Sequence, residues 1–236
     1  MTYEEFWGKI EITEEEKVKS THYLKYRGVE EHNYVRQYLE SVTGRTVSYA
    51  EIATAFRYDK RIRRILYKYI GLLEESIRAF ICNKYGNDYT EIMFTESTQK
   101  NVDKYGNLYA ALSALTFGKL IKQVKRMFDN DKGEMFLYYT GKIENLSRDL
   151  DAIVSLRNEV SHNRFLLDSK RLKKTSVGDG NGSLWENIVN LLNCLPPTFQ
   201  HQFTKEINGC AQEGSVELFK SQTQWALIEE IVVKII

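Results

Sequence analysis

A chain of 236 residues, 42% hydrophobic and 28% charged, can bury a sizeable core, which excludes a miniprotein held by disulfides. Thirty-three Lys and Arg against 32 Asp and Glu leave a net charge of +1, which excludes an overall basic polyanion binder but not a local phosphate patch. The only prolines are Pro196 and Pro197, and so long a stretch without one favours long helices over many short strands.

In chain order, Val35, Tyr38, Leu39 and Val42 mark a helix that Gly44 stops. Ser48 and Glu51 have capping-box spacing and predict a short helix through Ile52 and Phe56. Asp59 is expected to cap the next and strongest helix, which Gly86 ends. It carries Ile62, Leu66, Tyr69, Leu73 and Ile77 on one face and the i, i+4 pair Glu74 and Arg78 on a flank.

After a polar stretch near 86–104, helical spacing returns at Leu108, Leu112 and Leu115. It continues at Leu120, Ile121, Val124 and Phe128, with Gly118 between the two sets. Ile143, Leu146, Leu150, Ile153, Val154 and Val160 define a helix over about 142–162. The glycine-rich run 178–182 reads as a flexible loop, and no Lys-Ser/Thr follows it to make a nucleotide site. Ser183 with Glu186 opens a helix through Ile188, Leu191 and Leu192 that the prolines terminate. Two short helices, about 198–208 and 222–235, complete an all-α expectation with no strand pair. The chain reads as a single helical domain over 1–236, with an N-terminal helical extension and a C-terminal one over about 183–236.

Cys82, Cys194 and Cys210 cannot all pair, and no two have zinc-site spacing, so reduced, buried thiols are expected. The N-terminus lacks the pattern of a signal peptide, and no stretch reaches the roughly 20 apolar residues of a membrane span. The expected compartment is a reducing cytoplasm, with no membrane contact.

The helix over 142–162 contains an anomaly. At 100° per residue Arg157 falls in the middle of the apolar stripe, where a leucine belongs, and a guanidinium there is costly unless an anion meets it. That anion is either a carboxylate of this chain or something from outside. Asn158 and His162, four apart, are neighbours to one side, with His162 about 140° round from Arg157 on an ideal helix. A long Arg side chain or a distorted helix end has to close that gap. His22, His32 and His201 lie among polar residues and are expected at the surface.

The string Leu156-Arg157-Asn158-Glu159-Val160-Ser161-His162-Asn163-Arg164 resembles the Arg-Asn-x₃-His signature of HEPN-domain ribonucleases. In particular it resembles that of the Abi-like abortive-infection proteins of bacteria, the AbiD/AbiF group. Leu115-Thr116-Phe117-Gly118-Lys119-Leu120 is similar to that family's Leu-Ser-Phe-Gly-x-Leu element. Asp59 through Arg78, with Arg61, Arg64, Tyr69, Ile70, Glu74 and Arg78, is similar to its Asp-x-x-Leu-Arg…Ile-Glu-x-x-x-Arg helix. The likeness spans about 29–167. It departs at Ser161, where alanine is common, at Asn163, where a second histidine is common, and in the tail beyond 170.

This resemblance implies a HEPN-type helical bundle that cleaves RNA without metal or cofactor, as a dimer pairing two Arg-x₄-His motifs. The expected roles are His162 as general acid or base, Arg157 on the phosphorane charge and Asn158 orienting His162 or a phosphate oxygen. RNA contacts are expected from Arg61, Arg64, Arg164, Lys170, Arg171, Lys173 and Lys174, and an antitoxin or guide RNA is a further possible partner. The run around Lys60 to Lys68, which includes Arg61 and Arg64, and that around Lys119 to Arg126 read equally as solvated helix faces. The alternative is a catalytically inert helical RNA-binding or protein-interaction module.

Overall fold

The computed structural model describes residues 1–86, 89, 93–130, 138–210, 224–228 and 231–235. Helix dominates them, as the sequence predicts. The chain divides into two compact units. The first comprises Met1–Arg64, Phe165–Asp168 and Lys205–Ile236, and the second comprises Ile65–Arg164 and Ser169–Thr204.

In the first unit, α1 (Tyr3–Trp7) and α2 (Glu14–Arg27) each start from a Thr-x-x-Glu capping box, at Thr2 with Glu5 and at Thr13 with Glu16. Helix α3 (Val29–Thr43) ends at Gly44, whose left-handed φ of 68° lets its N–H reach the Glu40 carbonyl at 2.8 Å. His32 is not at the surface: it is 2% exposed and lies among Phe6, Tyr49 and Phe56. The reason is its register, three and seven residues before the buried Val35 and Leu39. Nδ1 of His32 lies 3.0 Å from the Gly28 carbonyl, which a neutral ring satisfies by donating.

The Ser48–Glu51 capping box forms as predicted, with the Ser48 N–H donating to the Glu51 carboxylate at 2.8 Å and the Glu51 N–H to Ser48 Oγ at 3.2 Å. It opens one helix, α4 (Tyr49–Tyr85), where two are expected. Asp59 therefore caps nothing. It is fully buried in the middle of α4, accepts the Leu166 N–H at 2.5 Å and pairs with Arg63 one turn on. Phe165 packs edge-on against Tyr38 and Phe56 beside it. The 37 residues of α4 contribute Tyr49–Arg64 to the first unit and the remainder to the second.

The second unit contains α5 (Glu96–Tyr105), α6 (Leu108–Ser113), α7 (Phe117–Asn130), α8 (Leu146–Ser161) and α9 (Leu184–Cys194). Helix α5 falls in the stretch whose sequence predicts no element, and Asn101 fixes it to α6 by donating to the Ala111 carbonyl at 3.0 Å. Leu150, Ile153 and Leu156 are buried on α8, and Gly118 at the start of α7 faces Val154. Phe128 lies on α7, and its expected side-chain role falls outside what is described.

Leu195 is extended because the residue before a proline avoids the helical region, which ends α9. Pro197 then starts α10 (Pro197–Gly209) at the first position, where its missing N–H costs nothing. Cys194 and Cys210 are buried, Cys82 is partly so, and all three are free thiols.

The tail departs from the expected helix over 222–235. Gln224–Ile228 (β1) and Ile231–Ile235 (β2) form an antiparallel pair in the register Gln224 to Ile235 and Ile228 to Ile231. Ile231, Val232, Val233 and Ile235 are β-branched and stiff at χ1, which suits a strand better than a helix. The rest of that expected helix, and residues 211–223 of the expected extension, lie outside the described residues.

Candidate functional site

Helix α8 stays regular to Ser161 and ends in a left-handed cap. His162 sits at φ −86° and ψ 9°, and Asn163 follows at φ 54°. The Asn163 N–H then reaches the Val160 carbonyl at 3.2 Å and the Arg164 N–H the Glu159 carbonyl at 3.1 Å. Asparagine is one of the few side chains that enters this conformation readily, so the departure at Asn163 has a backbone cause. Glu159 is largely buried and its carboxylate pairs with the Arg164 guanidinium at 2.6 Å.

Arg157 is half-buried and makes no hydrogen bond or ion pair with a described residue. The acids of its own helix are each turned elsewhere. Asp151 pairs with Lys125 at 2.6 Å, Glu159 with Arg164, and Asp149 accepts from Ser176 and Tyr139. The internal-acid alternative is thus not realised among the described residues.

Asn158 and His162 are exposed, and the bond between them is main-chain, from the His162 N–H to the Asn158 carbonyl at 3.0 Å. No side-chain hydrogen bond joins Arg157, Asn158 and His162. Because α8 is undistorted before its cap, the angular gap of about 140° between Arg157 and His162 persists within one chain.

The seven expected RNA contacts divide between the units. Arg61 and Arg64 belong to the first, Arg61 half-buried and Arg64 exposed. Arg164, Lys170, Arg171, Lys173 and Lys174 belong to the second and are exposed, Arg164 being the one held by Glu159.

Several functional-site neighbours were not singled out from the sequence. Ser155 on α8 donates to the Arg171 carbonyl at 3.4 Å, and Asn187 on α9 donates to the Lys173 carbonyl at 3.1 Å. Asp149, 1% exposed, accepts the Ser176 N–H at 2.7 Å, the Ser176 hydroxyl and the Tyr139 hydroxyl, and its own carbonyl accepts from Asn190 at 2.8 Å. Burial first, and then the Asp149 carboxylate beside it, push the Tyr139 hydroxyl well above its ordinary value. Ser155 has one signal in the sequence, its i+3 and i+7 relation to Asn158 and His162.

The glycine-rich loop is already filled. Glu186 turns its carboxylate back to accept the N–H groups of Asn181 at 3.2 Å, Gly182 at 2.6 Å and Ser183 at 3.0 Å. These donors are the ones that a bound phosphate would otherwise take. Among the described residues no group of three or more His, Cys, Asp or Glu is placed to hold a metal ion, and no helix is long and apolar enough to cross a membrane.

No family model, curated protein or solved structure matches the chain.

Proposed function

We propose that the chain is a metal-independent endoribonuclease of the HEPN type, needing no cofactor and acting in the bacterial cytoplasm in antiphage defence by abortive infection, or as a toxin. The observation that carries this reading is Arg157, a half-buried cation on the apolar stripe of α8 that Asp149, Asp151 and Glu159 all leave unmatched. Such a group lacks an anion, and the charge developing on a phosphorane supplies one.

In the proposed reaction His162 takes the proton of the ribose 2′-hydroxyl. The 2′-oxygen bonds to phosphorus and the bond from phosphorus to the 5′-oxygen breaks. The leaving oxygen receives its proton from the partner's His162, giving a 2′,3′-cyclic phosphate and a 5′-hydroxyl. The single His162 of one chain cannot conveniently do both proton transfers, whereas two copies about a two-fold axis supply a pair. The same pairing brings the Arg157 of one copy to the His162 of another, which the angular gap within one chain prevents. Asn158, next to His162 on the helix surface, orients it or a phosphate oxygen. Such an activity is toxic unless restrained, which an antitoxin would do.

The competing reading is an inert helical RNA-binding or interaction module, and the lack of a side-chain hydrogen bond between Arg157 and His162 favours it. Analysis of RNA digestion products separates the two. Fragments ending in 2′,3′-cyclic phosphate, formed equally in chelator by a species with twice the chain mass, select the enzyme. RNA binding without turnover selects the module.

A further inference from the structure

We infer that residues 171–174 form a pre-ordered rail for the phosphate backbone of a single RNA strand, built beside the face of α8 that carries Asn158 and His162. The inference rests on the proposed reading of that face as the site where RNA is cut.

Exposed lysines usually belong to solvated, mobile stretches, and a charge run alone says little. Here the main chain beneath the charges is anchored at three places by side chains of two helices. Ser155 on α8 holds the Arg171 carbonyl at 3.4 Å and Asn187 on α9 holds the Lys173 carbonyl at 3.1 Å. Asp149 on α8 takes the Ser176 N–H at 2.7 Å. Thr175, next in the chain, is buried.

A fourth observation is independent of these bonds. Gly182, at φ +78°, lies so close that a Cβ there would meet the Leu172 carbonyl oxygen at 2.9 Å and the Lys173 carbonyl at 3.1 Å. The segment is thus wedged against a loop that Glu186 itself holds rigid. Arg171, Lys173 and Lys174 nevertheless remain exposed, so the backbone is fixed and the cations face solvent.

The place of the rail follows from helix geometry. Ser155, Asn158 and His162 are spaced i, i+3, i+7 and fall within about 60° of one another on α8. The Ser155 contact therefore seats Arg171 on the face of α8 that presents Asn158 and His162 to solvent. Pre-ordering matters because a disordered run pays its ordering entropy on binding, and an anchored one has paid it on folding. Arg164, in contrast, is committed to Glu159.

The test measures binding apart from cleavage. A short single-stranded 2′-O-methyl RNA, which lacks the attacking hydroxyl, is titrated against wild type, Lys173→Ala/Lys174→Ala and a charge-matched control, Lys100→Ala/Lys104→Ala on α5. The rail pair should lower the slope of log affinity against log salt by about 1.4 and weaken binding on the order of tenfold, with the control unchanged. Wild-type affinity and slope in the rail variant, an equal loss in the control, or no binding by wild type overturns the rail. If the rail variant fails to bind but His162→Ala digests RNA as fast as wild type, the cleavage reading fails and the rail stands. If His162→Ala is inert and the rail variant binds normally, the reverse holds.

Discussion

The Arg164 N–H donates to the Glu159 carbonyl at 3.1 Å while the Arg164 guanidinium closes on the Glu159 carboxylate at 2.6 Å, so one pair of residues ties both main chain and side chain across the turn that carries His162. Asn163, at φ 54°, is the hinge of that turn. Asn163→Gly should leave stability within about 0.5 kcal/mol of wild type, since glycine enters the left-handed region freely, whereas Asn163→Val should cost about 1–2 kcal/mol. Urea denaturation measures both. On the proposed reading Asn163→Val also slows RNA cleavage, while Asn163→Gly does not.

Glu159→Gln keeps the shape of the carboxylate and removes its charge. Because Arg164 is 45% exposed, the stability lost should be only about 0.5–1 kcal/mol. The larger effect expected is functional, because a freed Arg164 no longer braces the turn. On the proposed reading the cleavage rate should fall and Glu159→Asp should rescue it in part.

His32 gives a pH dependence whose sign can be worked out. Burial holds its pKa below the ordinary 6.5, with the Gly28 carbonyl opposing that and Arg27 adding to it. The folded chain keeps the ring neutral, while the unfolded chain takes up a proton below about pH 6.5. The stability that His32 contributes is therefore complete above that pH and is lost as the pH falls through its depressed folded value. Other groups facing the ring, Phe6, Tyr49 and Phe56, carry no charge at these pH values. The fall in thermal midpoint between pH 7 and pH 5 should shrink in His32→Phe. An unchanged fall contradicts this account.

Glu186 should be among the costliest surface-distant residues to replace. Its carboxylate accepts three main-chain N–H groups, and Glu186→Ala strands all of them, at about 2–4 kcal/mol. Glu186→Gln should cost less. Gly182→Ala should cost about 2 kcal/mol or more, from its φ and from the approach of the Leu172 carbonyl. Thermal denaturation of the three variants checks the order.

What was legible in the sequence was local chemistry. Ser48 with Glu51, Ser183 with Glu186 and Gly44 mark helix ends by groups that satisfy orphan N–H and C=O within four residues, and the proline pair marks one by restricting the residue before it. What was not legible depends on distant partners. Asp59 has the residue type of a cap, and only the N–H of Leu166, far along the chain, shows why it is buried mid-helix. Helix α5 was hidden because its surface is polar and Thr98 and Val102 are its buried residues. The tail differs from its expected helix because short apolar runs such as 231–235 have no period that separates strand from helix. At the candidate site Arg157 was legible from its angle on α8. The anchoring of 171–176 was not, because Asn187 and Asp149 reach it from other elements.

The central claim is that Arg157 and His162 together cut RNA. Purified wild type, Arg157→Ala and His162→Ala should be compared for the rate of single-stranded RNA cleavage in the presence of chelator. The account predicts cleavage by wild type and a loss of at least about a hundredfold in each variant, the scale expected for removing a general acid or base or a charge-stabilising donor. Equal rates in all three contradict it.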